Sequence, residues 1–489
     1  MTLSRALSNA YSGLSSSAFR ADVTAGNIAN ATTPGYVRRT VISAERVAGG
    51  VGNGVRTVGV DRHQDIGVSR LRRDADASAG RADILASSYV NFEREIGSPG
   101  DGTGLFSSYA AMETSLRDLA ATPESPALQN AVLVASTELG FQFNKLTSSL
   151  NAMRANADQN IAGDVQTVND ALYRLQDING DISGRATASI DSVALEDERQ
   201  RLIDTISEII PIKDIPREGG QVDIVTENGV FLLAGNVKEL EFRPTAAITP
   251  QSAYATDNSG LSGLYVGDQN LTPGQGGNFS LTSGTLSGYF AVRDSVAPGL
   301  QAEIDGLAGD LITRFSDDGI DPTKAAGAAG IFTDAGAAFD SANSVGVAGR
   351  FRLNAAIDPV QGGSVTRFRD GLGATTTGPV GQSETITNLL GAMTSTGAVP
   401  AGSTLSGQFN ASELAAEVSS FVGQGRIRHE SLAVGAITRA NLLGDAEIKA
   451  QGVDTDFELQ NMLLIEQSYA ANARVIQTVG DMIDRLLQL

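Results

Sequence analysis

Histidine and cysteine, two side chains often used for acid–base and nucleophilic chemistry near neutral pH, are scarce or absent in this sequence. His63 and His429 are its two histidines, and neither has a Ser, Asp or Glu at the spacing of a known catalytic motif. Cysteine is absent, which removes thiolate nucleophiles and Cys-ligated zinc together. We therefore predict no catalytic, cofactor-binding or metal-binding residues, and we give both histidines ordinary surface or packing roles.

Two charged clusters and two glycine-rich stretches also have plain interpretations. The charges of residues 70–76 (RLRRDAD) and 196–201 (EDERQR) recur at helical spacing, which favours a solvated helix face over an acid–base pair. The stretches GGVGNG and GQGG lack the strand–loop–helix setting and the following Lys-Ser/Thr of a phosphate-binding loop. These patterns favour a structural or binding protein over an enzyme.

Length, composition and charge narrow the class further. The chain has 489 residues, more than one hydrophobic core usually supports, so several domains are expected. Its net charge of −20 disfavours nucleic acid and anionic membranes as partners. No stretch approaches the roughly 20 apolar residues of a membrane span, and the start lacks the apolar block of a cleavable signal. These features alone suggest the cytoplasm, unless a dedicated export apparatus carries the chain.

The elements that would position any site begin with a helix poor in large apolar residues. Its seam alternates steps of four and three residues on one helical face, at Leu3, Leu7, Ala10, Leu14, Ser17, Ala21, Thr24 and Ile28. The helix should end near Asn30, which tolerates the left-handed conformation, and residues 32–35 (TTPG) predict a turn. Residues 36–47 are strand-like, and Asn53-Gly54 predicts a hairpin turn.

Long helices are predicted for residues 69–210. Apolar residues keep the four-three spacing through three seams, at 128–153, 161–182 and 195–209, and Pro211 ends the last one. Composition then changes. Alternating sequence with Asn228-Gly229 at a turn predicts strands, and helical pattern returns only later in the chain.

The predicted fold is mixed and mainly α: a long, coiled-coil-like helical bundle built from both ends of the chain, with an inserted β-rich domain. We predict four parts. They are a terminal assembly domain of 1–68 with 440–489, a helical-bundle domain of 69–211 with 286–316 and 384–439, an outer β-rich domain of 212–285, and a Gly/Ala-rich region of undefined fold at 317–383, with one strand at 349–354.

Neither end of the chain carries enough apolar mass to fold alone. Burying the large residues of the first seam is worth on the order of 10 kcal/mol in total, at roughly 1.5–3 kcal/mol each. Ordering about 25–30 residues costs roughly 1–2 kcal/mol apiece, which helical hydrogen bonds recover only in part. Two outcomes stay open: the end helices order by packing against other copies, or they dock onto the central helices of the same chain.

Both extremities carry recognisable motifs. They are ALSNAYSGLSSSAFRADVTAGNIANATTPGYVRR at residues 6–39 and GVDTDFELQNMLLIEQSYAANARVIQTVGDMIDRLLQL at residues 452–489. Together they resemble the terminal signatures of the bacterial flagellar axial proteins, namely the rod, hook and hook-associated proteins. The matching positions are Asn27, Ile28, Ala29, Asn30, Thr33, Gly35, Tyr36, Arg38, Gln467, Ser468, Tyr469 and Ala470. Arg39 and Gly26 depart from the signature, where a glutamine-like residue and Ser or Ala are usual.

Within that family the likeness is greatest to the proteins of the hook–filament junction. It is carried by residues 52–65 (GNGVRTVGVDRHQD), by residues 116–136 (LRDLAATPESPALQNAVLVAS), and by the long helical block itself. The likeness fades across residues 212–383. Three alternatives remain: a hook or distal-rod protein, which the helical block disfavours; a secreted coiled-coil adhesin or effector; and an enzyme such as a wall hydrolase, which should show paired carboxylates.

The resemblance implies a secreted structural protein that polymerises at the hook–filament junction of the extracellular flagellum, after type III export without cleavage. The implied partners are copies of itself, the hook protein, a second junction protein and a cytoplasmic export chaperone at the C-terminal region. The central insertion would face outward. The residues expected at the assembly interface are Leu3, Leu7, Leu14, Ile28, Asn30, Tyr36, Ile465, Tyr469, Ile476, Val479, Ile483 and Leu486.

Overall fold

The computed structural model describes residues 3–33, 35–48, 51–97, 102–184, 190–256, 260–399 and 403–488. Long helices dominate, which confirms the predicted mainly-α fold with a β-containing insertion. The helices are α1 (Leu3–Ala29), α2 (Ile66–Ile96), α3 (Gly104–Ala121), α4 (Pro126–Gly184), α5 (Ile190–Ile209), α6 (Gly284–Ala291), α7 (Ala297–Ser316), α8 (Val347–Arg350), α9 (Arg367–Asp370), α10 (Glu384–Thr394), α11 (Ala411–Gln451) and α12 (Thr455–Leu487).

The strands pair antiparallel, and all except β1 and β2 are short. They are β1 (Arg39–Ala48), β2 (Val51–Arg62), β3 (Ile212–Pro216), β4 (Val222–Thr226), β5 (Phe231–Ala234), β6 (Asn236–Val237), β7 (Tyr265–Val266), β8 (Gln269–Asn270), β9 (Phe332–Asp334), β10 (Phe351–Leu353), β11 (Gly397–Ala398) and β12 (Gln408–Phe409). One sheet has four strands in the order β3-β4-β5-β6, and the remaining strands form two-stranded pairs.

Helix α4 is the longest of the described helices and contributes to both hydrophobic cores. It runs unbroken for 59 residues, so the first two predicted seams belong to one helix roughly 90 Å long. Pro126 occupies its first position, where the missing N–H costs nothing. The Ser125 hydroxyl accepts the N–H of Leu128 at 3.4 Å, which completes the start of the helix.

Two hydrophobic cores form along α4. Its first half, including Leu139 and Phe143, packs with α2, α3, α7, α10 and α11. Its second half, including Ile161 and Leu172, packs with α5, α6 and the four-stranded sheet. The predicted turn at Asn228-Gly229 joins β4 to β5, with Gly229 at φ 90°. The β-rich insertion is therefore one wall of the second core.

The Gly/Ala-rich region packs into the first core. The ring of Phe351, in the predicted strand, lies 4.9 Å from that of Phe143 on α4 and 4.7 Å from that of Phe332 on β9. Phe368 is also fully buried there. Residues 317–383, which have no periodic pattern, therefore pack against the helical bundle through a few buried aromatic side chains on short strands and turns.

Helices α2 and α11 run antiparallel over most of their length. Ser69 and Gln451 form a hydrogen bond of 3.2 Å at one end, and the rings of Tyr89 and His429 stack at 4.8 Å towards the other. A capping box of Asn410 and Glu413 starts α11. Since α11 continues without a break across residue 440, the predicted boundary between bundle and terminal domain falls inside one helix.

Helix α1 ends at Ala29, as predicted, but for another reason. Among the described residues, Ala335 is the only non-glycine with positive φ, so Asn30 is not left-handed. Its side-chain amide instead donates to the carbonyl of Gly26 at 2.9 Å. In the predicted turn, Gly35 has φ 75°, while Pro34 lies outside the described residues.

The predicted turn of the first hairpin is wrong. Ala48 pairs with Val51, so the strands β1 and β2 are joined at residues 49–50, which lie outside the described residues. Asn53 and Gly54 lie within β2. Gly54, with φ 97°, rests directly on Ser12 and Asn9 of α1, where a Cβ would collide. Gly54 therefore allows β2 to lie close to α1.

Candidate assembly interface

The two end helices pair with each other. Gly13 of α1 lies against Asn472 of α12, and Arg38, just beyond α1, bonds Glu458 in the first turn of α12, so the helices are antiparallel. The residues of α1 that face α12 are small, and Ala10, Ser17 and Thr24 are buried. Ile465 and Val479 are buried on the α12 side. The small residues of the N-terminal seam therefore allow a close pair within one molecule.

The hairpin covers a second side of α1. The Ser12 hydroxyl accepts the N–H of Val55 at 3.1 Å, and the hydroxyl oxygens of Ser16 and Ser43 lie 3.4 Å apart. A small apolar cluster of Val23, Val60 and Val193 closes this contact. Because the hairpin strands are held along α1, helix and hairpin form one unit.

Asn27, from the N-terminal signature, is the fully buried centre of the turn between α1 and β1. Its amide nitrogen donates to the carbonyl of Arg39 at 2.9 Å, and its oxygen accepts the N–H of Arg39 at 3.1 Å. The same oxygen accepts the Tyr36 hydroxyl at 3.0 Å. Burial, the largest cause, raises the pKa of Tyr36, so this hydroxyl stays a donor. The signature thus specifies a hydrogen-bonded turn.

Buried ion pairs connect this unit to the rest of the molecule. Arg38 Nε lies 2.7 Å from Glu458 Oε1, and the N–H of Arg38 donates to the carbonyl of Gln451 at 3.0 Å. Asp197 of α5 accepts Arg62 Nε at 2.7 Å and also pairs with Arg39. Asp197, Gln451 and Glu458 were not predicted as site residues, because no local pattern marks residues whose partners are distant in sequence.

The charged clusters at residues 70–76 and 196–201 are not solvated faces, which corrects the prediction. Arg73 is buried and bonds Asp204 at 2.7 Å. Arg72 pairs with Asp76, with Asp204 and with Glu447, and so joins α2, α5 and α11. Burial alone would lower the pKa of Arg72, but the carboxylates of Asp204 and Glu447 outweigh it and raise that pKa. Helical spacing alone cannot show that a third element covers the charges.

The predicted interface residues occupy two environments. Ile465 and Val479 are buried between α12 and α1, while Leu3, Leu14, Ile28, Asn30, Tyr36 and Ile476 are partly buried. Leu7, Tyr469, Ile483 and Leu486 are exposed, Leu486 to 60%. The structure therefore places part of the predicted set inside the α1–α12 pair and leaves the other part on its surface.

Further exposed apolar residues on the same helices were not among the predicted set. Tyr11 of α1 is 69% exposed and Leu464 of α12 is 63% exposed. Val475 and Met482 are exposed on the same side of α12 as Leu464. Leu464, Val475 and Met482 are eleven and seven residues apart, a spacing that places them on one helix face. That face lies next to the predicted seam, so the pattern is easily missed in the sequence.

The two histidines occupy different settings. His63 is exposed, and His429 stacks on Tyr89, where burial and the charges of Arg428 and Arg81 lower its pKa. No group of three His, Asp or Glu side chains is placed to hold a metal among the described residues. Of the described helices, none combines the length and apolarity needed to cross a membrane.

Comparisons with known proteins find flagellar proteins. Residues 95–330 match the family model of the flagellar hook-associated protein FlgK helical domain, and residues 448–489 match that of the flagellar basal body rod FlgEFG protein C-terminal. A solved structure of the flagellar hook junction protein FlgK from Burkholderia pseudomallei overlaps with a TM-score of 0.42 and 16% identity, over 54% of this chain and 46% of that one.

Two curated relatives carry the same name. Flagellar hook-associated protein 1 of Bacillus subtilis (strain 168) is 24% identical over 521 residues, covering 99% of this chain and 97% of that protein. Its counterpart in Escherichia coli (strain K12) is 26% identical over 304 residues, covering 60% of this chain and 52% of that protein. The chain is therefore similar to flagellar hook-associated protein 1 over nearly its whole length, and it contains a match to the helical domain of that protein.

Proposed function

We propose that this chain polymerises with copies of itself at the hook–filament junction of the bacterial flagellum, and that it does so through the α1–α12 pair. The similarity to flagellar hook-associated protein 1 supports a structural role at that junction. The observation that carries the proposal is that the paired end helices still expose large apolar side chains such as Tyr11, Leu464 and Leu486. Exposed apolar stripes of this kind mark interaction sites.

The contacts of α1 favour packing between copies over docking within one chain. Among the described residues, α1 packs mainly against α12, β1 and β2; it meets α5 at the small cluster of Val23, Val60 and Val193, and it does not lie along α3 or α4. Burying a large exposed side chain is worth roughly 1.5–3 kcal/mol, so neighbouring copies can supply what the isolated pair lacks.

The proposal extends to neighbours and location. The hook protein and a second junction protein would flank the polymer, and an export chaperone would cover the exposed apolar side of α12 before secretion to the extracellular flagellum. The four-part division is kept as part of the proposal, with residues 317–383 joined to the bundle through Phe332 and Phe351 and the β-rich insertion facing outward. We propose no catalytic activity, no nucleic acid and no membrane for this protein.

Leu14→Asp, or removal of residues 480–489, should test the proposal in a strain that lacks the chromosomal copy. A charge on the free side of α1, or loss of the apolar end of α12, should leave an exported protein that cannot join the flagellum. We expect hooks without filaments, with the variant and flagellin recovered from the medium.

Val360→Asp is the matched control, because Val360 is 93% exposed on a turn far from α1 in sequence and contacts neither end helix. It should restore filaments as the unchanged protein does. Normal filaments in both Leu14→Asp and the truncated variant would refute assembly through the end helices.

A further inference from the structure

The α1–α12 pair has two free sides, which are defined by what covers the rest of α1. Ala10, Ser17 and Thr24 face α12, and Ser12 and Ser16 face the hairpin. Counting round the helix, the remaining third of α1 lies beyond the α12 contact, on the side away from the hairpin. It carries Leu7, Tyr11 and Leu14, spaced by four and three residues, of which Leu7 and Tyr11 are exposed.

Helix α12 exposes its apolar stripe on the opposite side of the pair. Ile465 and Val479 face α1, and the stripe of Leu464, Val475 and Met482 flanks them. Because the two right-handed helices run antiparallel, this flank of α12 lies on the hairpin side. The pair therefore presents one apolar surface from α12 on the hairpin side and another from α1 on the far side.

Basic residues collect on the hairpin side. Arg5 lies seven residues before Ser12, and Arg20 lies four after Ser16, so both share the flank of α1 that meets the hairpin. Ser43 points towards α1, so alternation turns Ala44 and its pairing partner Arg56 to the outer face of the hairpin, while Arg46 lies at the register shift between Glu45 and Val47. All four arginines are exposed, and none forms an ion pair with the described residues.

Acidic residues collect on the far side. Asp22 lies eleven residues after Tyr11, on nearly the same line along α1. Glu466 and Asp484 are eighteen residues apart, five helical turns, and lie on the flank of α12 opposite its apolar stripe. All three carboxylates are exposed without an ion-pair partner in the described part of the chain. We call the hairpin side, with Arg5, Arg20 and the α12 stripe, the basic face, and the far side the acidic face.

We propose that the polymer contact, if the proposed function holds, is head to tail: the basic face of one copy packs against the acidic face of the next. A symmetric contact would place like charges together, whereas the head-to-tail contact pairs opposite charges and joins the α12 stripe to Leu7, Tyr11 and Leu14. Two different, complementary surfaces generate a ring or an open helical polymer, while a self-complementary surface stops at a dimer.

Engineered disulfides can test the contact, because the natural chain has no cysteine. Tyr11→Cys or Leu14→Cys would be combined in one chain with Val475→Cys or Met482→Cys, giving four double variants that sample the register. Flagella would be isolated, oxidised mildly and run on non-reducing gels. At least one double variant should give a ladder of crosslinked species longer than a dimer, and the four single variants should give no crosslink.

Each other outcome is decisive. Crosslinked dimers from a single-cysteine variant would mean a symmetric contact and would overturn the proposal. The proposal would also be overturned if each of the four double variants were found in isolated flagella and none of them gave a ladder. The chain would then still be a junction component. Absence of the unchanged protein from isolated flagella would instead refute the proposed function itself.

The charges have their own test in the same double-cysteine chain. Arg5→Glu with Arg20→Glu should reduce the ladder at least tenfold, since acidic residues would then face Glu466 and Asp484 of the neighbour. Adding Glu466→Arg and Asp484→Arg should restore it, because opposite charges meet again. If Arg5→Glu with Arg20→Glu left the ladder unchanged, opposite charges would not stabilise the contact. That result would overturn the proposal in this form.

Discussion

Asn27 shows at the scale of a residue what the N-terminal signature does. Its amide makes both hydrogen bonds that a neighbouring strand would make with Arg39, and it also accepts the Tyr36 hydroxyl. These groups lie in a buried turn, where an unpaired polar group costs about 1–3 kcal/mol. The signature therefore holds the hairpin to the end of α1 before any contact with another copy forms.

Asn27→Ala should loosen the hairpin. The change leaves the main chain of Arg39 and the hydroxyl of Tyr36 without their partner, so we expect the opening free energy of β1 to fall by about 2–4 kcal/mol. Hydrogen exchange of the β1 amides, followed by mass spectrometry, measures it. Asn30→Ala is the control: its bonds to Gly26 and Thr33 lie near solvent, so the loss should be about 1 kcal/mol or less. Equal losses of opening free energy in the two variants would show that Asn27 matters no more than Asn30 for holding the hairpin.

At the scale of an element, α1 is built for close approach. Gly13 touches Asn472 of α12, and a Cβ at Gly13 would lie 2.8 Å from the side-chain amide of Asn472. Gly26, in contrast, has open space, with only the Tyr36 hydroxyl 4.0 Å from where its Cβ would be. The two glycines of one helix therefore have different reasons to be there.

Gly13→Leu should separate the end helices, because a large side chain must push α12 away along a line of small residues. We expect lower helicity by circular dichroism and faster hydrogen exchange in both α1 and α12. Gly26→Ala should do the opposite and stabilise α1 by up to about 1 kcal/mol, since it removes the helix-interior glycine penalty without a collision. Unchanged exchange in α12 after Gly13→Leu would contradict the pairing of α1 with α12.

At the scale of the molecule, two cores share α4 and the end helices lie outside both. Among the described residues, the contacts that connect them to the rest include the hairpin, the bond from the Arg38 N–H to Gln451, the Val23–Val193 cluster, and the Arg39 and Arg62 pairs with Asp197. Most of α12 is exposed, whereas α4 has a buried residue in nearly every turn. Stability is therefore lowest at the two extremities of the chain.

Limited trypsin digestion of the purified protein in dilute solution should cut first after Arg20, Arg474 and Arg485, in the end helices. Arg154 of α4, which bonds the carbonyl of Thr249 in the insertion, and Arg293, which pairs with Asp158 of α4, are both buried and should resist longest. Mass spectrometry of fragments over time gives the order of cleavage. Equal resistance along the chain would indicate that the end helices are already ordered by contacts within one molecule.

The sequence by itself determined the features that depend on near neighbours. Steps of four and three residues indicate the helical segments, Asn228-Gly229 indicates a turn, and the motifs at both extremities indicate the resemblance to flagellar axial proteins. Such signals are local, because a helix face and a turn are set by residues a few positions apart. The small residues of α1 already indicated a helix that needs a close partner.

Tertiary structure alone decided which faces meet. It placed Gly54 on α1 and not in a turn, covered Arg72 and Arg73 with α5 and α11, and divided the apolar residues of α12 between α1 and the surface. These outcomes depend on residues hundreds of positions apart, such as Arg38 and Glu458, which no local pattern relates. Burial is a property of the packed whole, and it separates residues that look alike in sequence.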